Sequence, residues 1–480
     1  MKRITDLDLI ALAGAGLAAG VVTGDPLAAA AVLVLMVSIR LVSTSDGLFV
    51  LPIAISFHWM EGTLGLFYLR LTGREVQAVS GSDYRPMVMI ALGCVLAMSA
   101  GIRLGLMLRK PPDPNVPRPG FAVSLGLLVI IYVSTVFLEG TLATIAPDYP
   151  SIRQIIMTFD SARLGVLFLI LRRLCAPPPR FGLVAAVVSL EVVLGITGFF
   201  AGFREPIVLA VLAMLEVFDR KNTRHWLAMG VATVAISALG VLWMGIRSDY
   251  RREYVQVDQF QGDRGARVDR VQDLTSSFMK TDQEGLLRAT DQLVDRMWPI
   301  YYPALALHRV PSVLPHTNGA IILAALTHVV TPRVFFPDKG ELPSDSEEVR
   351  KYAGVHVAGK EANTSIAFGY AGESYIDFGL PWMFLPVFGY GVLAGACYAI
   401  FRSAIWHRDL FVSFATVSFW VSMYLFERSW ATMLGVTIGF MVYLGGPMVL
   451  LDRFLLIRYK AELPEAERQL FVTAVEHNRA

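Results

Sequence analysis

Apolar runs long enough to cross a bilayer recur along this chain, and one polar block, residues 248–378, breaks the series. That pattern leaves few folds open. Lipid offers no partner to a bare backbone N–H or C=O, so a chain that crosses repeatedly does so as helices that satisfy their own hydrogen bonds. Each crossing takes about 20 apolar residues. Hydrophobic residues make up 55% of the sequence and charged ones 17%, against the roughly 25% charged of soluble domains. The expected fold class is therefore an all-α polytopic membrane protein with one large, mostly helical loop.

Twelve spans are expected, near 8–23, 27–42, 47–69, 87–108, 120–142, 157–175, 181–201, 205–219, 226–247, 380–402, 409–426 and 431–457. The chain divides accordingly into a bundle over 1–247, the block over 248–378, a second bundle over 379–460 and a tail over 461–480. Met1-Lys2-Arg3 has the charge of a signal-peptide start, but Asp6 and Asp8 and the apolar run that follows favour an uncleaved first span. Lys and Arg in short loops mark the cytoplasm. Arg109 with Lys110 and Arg118, Arg172 with Arg173 and Arg180, and Arg220 with Lys221 and Arg224 fall on alternate loops. Arg40, Arg402 with Arg408, and Arg453 with Arg458 fall on the same side. Both termini are thus expected inside and the block outside. Its 14 Lys/Arg and 18 Asp/Glu do not oppose this, since long loops escape the rule.

The block has the periodicity of folded protein. Leu286, Leu287, Leu293, Val294 and Met297 recur at helical spacing over 283–298, which predicts an amphipathic helix ended or kinked by Pro299. Gly319 to Val330 is apolar but too short to span, so it is re-entrant or buried against the bundle. Ser344 and Glu347 have the spacing of a capping box. Gly369 to Gly379 holds several glycines beside acids and tyrosines, a composition that suits closely packed backbone.

Candidate site residues follow from charge and position. Arg204 beside Glu205 and Pro206 stands at an outward helix start, where free amides and a guanidinium favour an anion. A snorkelling ion pair with Glu205 is the alternative. Arg247, Arg251 and Arg252 follow the ninth span, placed either to grip phosphate oxygens or to meet lipid headgroups. The turn from Thr331 to Lys339, held between Pro332 and Pro337, presents Arg333 and Lys339. Glu373 is the favoured general base, with His308, His316, His328 and His356 as competitors. Glu139 and Glu191 are expected to face the bundle interior. Glu427 and Arg428 form a possible structural pair. The three cysteines lie in apolar stretches and suggest neither disulfides nor a thiolate metal site. No phosphate-cradling glycine loop, dinucleotide fingerprint or zinc-protease motif occurs. No cofactor, metal or nucleic-acid partner is therefore expected.

These features resemble the oligosaccharide repeat-unit polymerases, the Wzy-type O-antigen polymerase family. The likeness covers most of the chain in architecture. Locally it rests on Gly202-Phe203-Arg204, Arg247, Pro332-Arg333-Val334-Phe335-Phe336-Pro337-Asp338-Lys339, and Asn363 with Gly372-Glu373-Ser374-Tyr375-Ile376-Asp377-Phe378-Gly379. Where the family often has proline after the lysine, this chain has Gly340. The resemblance implies a GT-C-like, metal-independent, inverting glycosyltransferase in the bacterial inner membrane. Its donor would be a glycan on undecaprenyl pyrophosphate and its acceptor a lipid-linked repeat unit, with a flippase and a chain-length regulator as partners. Arg204 and Arg333 would be catalytic with Glu373. Arg247, Arg251 and Lys339 would hold pyrophosphate, and Asn363 and Tyr375 would hold sugar. An O-antigen ligase has the same architecture and a loop histidine near an arginine. A transporter should show internal repeats and mid-span charges, and a non-catalytic scaffold of an export complex would tolerate loss of Arg204 and Arg333.

Overall fold

A computed structural model describes residues 14, 16, 18, 20–44, 46–76, 83–112, 118, 123–145, 153–196, 204–219, 221–254, 272–333, 335–336, 338–359, 361 and 364–462. Among these, the regular structure is all helical. In chain order the helices are α1 Pro26–Val42, α2 Val50–Thr72, α3 Tyr84–Met107, α4 Leu125–Ile145, α5 Arg153–Cys175, α6 Phe181–Ile196, α7 Arg204–Glu216 and α8 Thr223–Tyr254. The block adds α9 Gln283–Met297, α10 Tyr301–Arg309, α11 Ala320–Val330, α12 Asp345–Ala353 and α13 Gly369–Phe378. Then come α14 Phe384–Ala404, α15 Arg408–Met423, α16 Trp430–Gly439, a π-helical turn Phe440–Gly445, and α17 Gly446–Glu462.

Among the described residues, five stretches are long and apolar enough to cross a membrane: Val50–Thr72, Tyr84–Met107, Thr223–Arg247, Phe384–Ala404 and Trp430–Ile457. Pro26–Val42, Leu125–Leu138 and Phe181–Gly195 are apolar but shorter. The helix over Arg153–Cys175 is long enough but carries Asp160, Arg163, Arg172 and Arg173, which lower its apolarity. The expected first span lies largely outside the described residues.

Helix α15 forms the centre of the bundle. Every residue from Leu410 to Trp420 on it is buried, the mark of a helix packed on all sides. Helices α3 and α14 meet on glycine. A Cβ on Gly101 would lie 2.1 Å from the Phe388 carbonyl, and one on Gly105 2.3 Å from that of Val392. The contact is reciprocal, since Gly391 would strike Met98 O at 2.3 Å and Gly395 would strike Ile102 O at 2.2 Å. Small residues four apart on both helices let the backbones touch, the packing device of helices in lipid.

Ion pairs collect at the two ends of α2. Before its first turn, Asp46 accepts from Tyr398 Oη at 2.9 Å and faces Arg402 at 3.7 Å. Arg118 donates to the Arg402 carbonyl at 2.7 Å. Arg172 pairs with Glu216 at 2.6 Å and with Asp409. At its last turn, Asp25 bridges Arg70 at 2.9 Å and Arg85 at 3.0 Å. The basic loops around Arg118, Arg172 and Arg402 thus converge through charged contacts.

The block is folded and seated on the second of these ends. The predicted amphipathic helix appears as α9, started by Asp282 on Gly285 N at 2.9 Å and ended at Met297, two residues before Pro299. Ala289 and Val294 face inward while Leu286 stays exposed. Asp291 takes the Tyr68 hydroxyl at 2.6 Å and the Arg74 guanidinium at 2.7 Å. Trp298 is buried over Gly62 and Gly65, donating its indole N–H to Gly62 O at 3.1 Å. A Cβ on Gly65 would fall 1.7 Å from that ring, so the glycine makes the room. The capping box at Ser344 and Glu347 forms with both hydrogen bonds present.

Candidate functional site

Helix α13 is short and almost wholly buried. It begins on Gly369 with φ +78°, where a Cβ would sit 2.4 Å from Phe426 O. Only glycine fits both the left-handed backbone and that approach. Glu373 and Asp377, four residues apart, lie on one face of this helix. Each caps another helix. Glu373 Oε2 accepts from Trp430 N at 2.7 Å, at the start of α16. Asp377 accepts from Ile321 N at 3.1 Å and Ile322 N at 2.9 Å, at the start of α11, and from the Thr317 hydroxyl. Helix N-termini carry free N–H groups and partial positive charge, which suits carboxylates there. The Trp430 indole N–H donates to Ser374 Oγ at 2.9 Å, so α13 holds α16 twice. Burial is the largest influence on Glu373 and pushes its carboxyl well above the usual range; the Trp430 N–H pulls the other way, and Asp345, Glu348 and Asp377 add to the rise.

The far end of α11 carries cations. Lys339 Nζ donates to the His328 carbonyl at 2.7 Å, which folds the 331–340 turn back onto the helix. Burial, then the nearby Lys339 and Arg333 charges, push His328 below its usual range. Burial and Arg333 do the same to Lys339. Among the described residues, neither Arg333 nor Lys339 pairs with a carboxylate. Two cations that repel each other without a counter-ion form a place an anion would stabilise.

The structure brings Arg333, Lys339 and His328 together and keeps Glu373 apart from them. Helix α11 separates Asp377 from Arg333, and its 11 residues are roughly 16 Å long at 1.5 Å per residue. Tyr375 is half-buried, its hydroxyl on Val310 O at 3.0 Å and its ring 5.7 Å from His316. His316 Nδ1 lies 3.1 Å from the Tyr375 carbonyl, and His356 is exposed in the segment just after α12. Arg204 opens α7, but its side chain lies outside the described residues. The side chains of Glu139, Arg251 and Arg252, and all of Asn363, also lie outside them. Arg247 is half-buried on α8, and the helix runs on to Tyr254 rather than giving way to a loop at 248.

Glu427 and Arg428 do not pair with each other. Glu427 reaches across to Arg296 of α9, while Arg428 turns inward to the Val421 carbonyl and lies over the Tyr424 ring at 5.0 Å. Glu191 does face the interior. It meets Arg163 at 2.8 Å and the Tyr132 hydroxyl, a buried cluster between α4, α5 and α6. Sequence reasoning missed Arg163, although a mid-helix arginine with a mid-helix glutamate nearby is a readable sign of pairing. It also missed the Asp377 cap, since spacing cannot name the helix a carboxylate will reach. Among the described residues, no three His, Cys, Asp or Glu side chains converge to hold a metal ion.

The model of one family, the domain of unknown function DUF8712, matches residues 120–425. The chain belongs to the DUF8712 family. The matched segment runs from just before α4 to just past α15, so it includes Arg204, His328, Arg333, Lys339, Glu373 and Asp377. Helices α1 to α3 and α16 to α17 lie outside the DUF8712 match, though α16 takes the Glu373 cap and α3 the α14 glycines. No curated protein and no solved structure matches the chain.

Proposed function

We propose that the protein is a membrane glycosyltransferase that polymerises undecaprenyl-pyrophosphate-linked repeat units on the extracytoplasmic face of the bacterial inner membrane. The observation that carries the proposal is the turn at the end of α11. Arg333 and Lys339 stand beside His328, without a carboxylate partner among the described residues, in a block seated on membrane-length helices. A lipid pyrophosphate leaves readily if its developing charge is neutralised, and fixed cations supply that. His328, next to both cations, is better placed to take a proton from an acceptor hydroxyl than Glu373, which is buried and capping α16. We keep Arg204 of α7 and Arg247 of α8 as proposed pyrophosphate contacts.

The same His–Arg neighbourhood favours a second reading, transfer of finished glycan to a lipid A core by an O-antigen ligase. The lipid-linked glycan profile of a deletion strain separates the two. Single capped repeat units support the polymerase, and long unattached polymer supports the ligase. Complementation with Arg333→Ala should lower product about a hundredfold, the usual cost of a lost charged contact to a transition state. Full product from that variant, at normal protein levels, removes Arg333 from the site.

A further inference from the structure

We infer that α11 and the turn after it form a re-entrant wedge that enters the bilayer beside α16 and lays its outer face against acyl chains of the leaflet on the block's side. The inference rests on exposure, depth and charge, and not on any catalytic role.

Exposure comes first. Leu323, Leu326 and Val330 recur at helical spacing, and all three are exposed, Leu323 at 65% and Val330 at 66%. Phe335 follows at 76% and Phe336 at 51%. The opposite face of α11, with the buried Ala325, packs on α13 and α16. An open stripe of five large apolar groups is unusual on a surface facing water.

Depth says what covers the stripe. Val329 packs at Gly435 of α16, where an added Cβ would lie 3.7 Å from its Cγ2. Arg453, on the same helical stretch, lines a cavity with Arg109 and Ala404 at the end of the bundle that holds the basic loops. Gly435 is 18 residues from Arg453 (453 − 435), at most about 27 Å at the α-helical rise, and less through the π-helical turn Phe440–Gly445. The hydrocarbon core is about 30 Å thick, so Val329 lies inside it. A second count agrees. Trp382 is exposed in the turn just before α14, whose 21 residues to Ala404 are about 31 Å long. That is the depth at which tryptophan belts sit. The α11 N-terminus lies at this level, because Thr317 N and Asn318 N donate to Ile376 O and Asp377 O, just before Gly379.

Charge fits the same placement. Asp377 closes the buried start of α11, so the helix presents few open N–H groups there. Arg333 follows its lower end, where a long basic side chain reaches headgroups from an apolar stem, while the Lys339 ammonium is held on the His328 carbonyl.

Two measurements test the wedge on the full-length protein in phosphatidylethanolamine–phosphatidylglycerol nanodiscs. In a Cys397→Ala background, which leaves only buried cysteines, a nitroxide is placed at 326, 330 or 336, with 313 as the water reference and 450 as the lipid reference. Relaxation by oxygen relative to a water-soluble nickel chelate should match position 450 at all three sites. Values matching 313 overturn the proposal. Unmodified protein answers the same question by hydroxyl-radical footprinting. Phe335 and Phe336 should be protected like Phe454, and oxidation at the level of the exposed Met279 overturns it.

Discussion

Glu373 reads in the sequence as a base and stands in the structure as a cap, and one substitution separates the roles. Its amide counterpart still accepts from Trp430 N, so Glu373→Gln should keep α16 anchored. If the residue only caps, the variant makes polymer at the parent rate. Accumulated repeat units at normal protein levels would return the base role to Glu373. The same variant should alter the pH dependence of stability. Below about 4.5, the ordinary value for this carboxyl, folded and unfolded chains both hold the proton. Above it the unfolded chain releases the proton while the folded one keeps it, so stability falls with rising pH until the raised folded value is reached. Thermal unfolding of the parent across that window should therefore slope downward more steeply than that of Glu373→Gln. Equal slopes would show that the carboxyl is not held protonated by burial. At this scale the Ser344–Glu347 box was legible because it is local, its two hydrogen bonds closing within four residues. The two α13 caps were not, because each joins segments more than 50 residues apart.

Helix contacts show the same division. The pairs Gly101 with Gly105 and Gly391 with Gly395 carry a small-residue spacing visible in the sequence, but the spacing names no partner, and only the structure joins α3 to α14. Each glycine lies against backbone carbonyls, which cannot move aside as a side-chain end can. Gly391→Leu should therefore cost upward of about 3 kcal/mol and leave little monodisperse protein in detergent. Gly389→Ala, on the same helix with nothing within 4 Å of its added Cβ, should stay within about 0.5 kcal/mol of the parent. Similar yields and melting temperatures for both would mean that the two helices are not in backbone contact. The amphipathic α9 was legible because its apolar period is strong. The seat it takes, Asp291 on Tyr68 and Arg74, was not, because the partners come from the end of α2 and the residues just after it, more than 200 residues earlier.

Across the whole molecule, apolar runs revealed that the chain is helical and built around membrane-length segments, and blurred how many cross. Helix α15 shows why. It is apolar because it is buried among other helices, and at 16 residues it is short for a crossing, yet composition alone cannot tell protein surroundings from lipid ones. Orientation is the prediction that belongs to this scale. The loops rich in Lys and Arg meet around Arg118, Arg172 and Arg402, while the block rests on the other end of α2 through Asp291 and Trp298. If basic short loops mark the cytoplasm, the block lies outside. Helix α8 makes this testable, because its stretch Thr223–Arg247 is membrane-length and divides Asp219 from Ser276. Both positions are exposed. With an impermeant maleimide added to intact cells, Ser276→Cys should label, whereas Asp219→Cys and Ala480→Cys should label only after lysis. Labelling of Asp219→Cys and not Ser276→Cys would invert the protein. The cations at the end of α11 would then face the cytoplasm, where no polymer is assembled on the outer leaflet, and the proposed activity would fall with the topology.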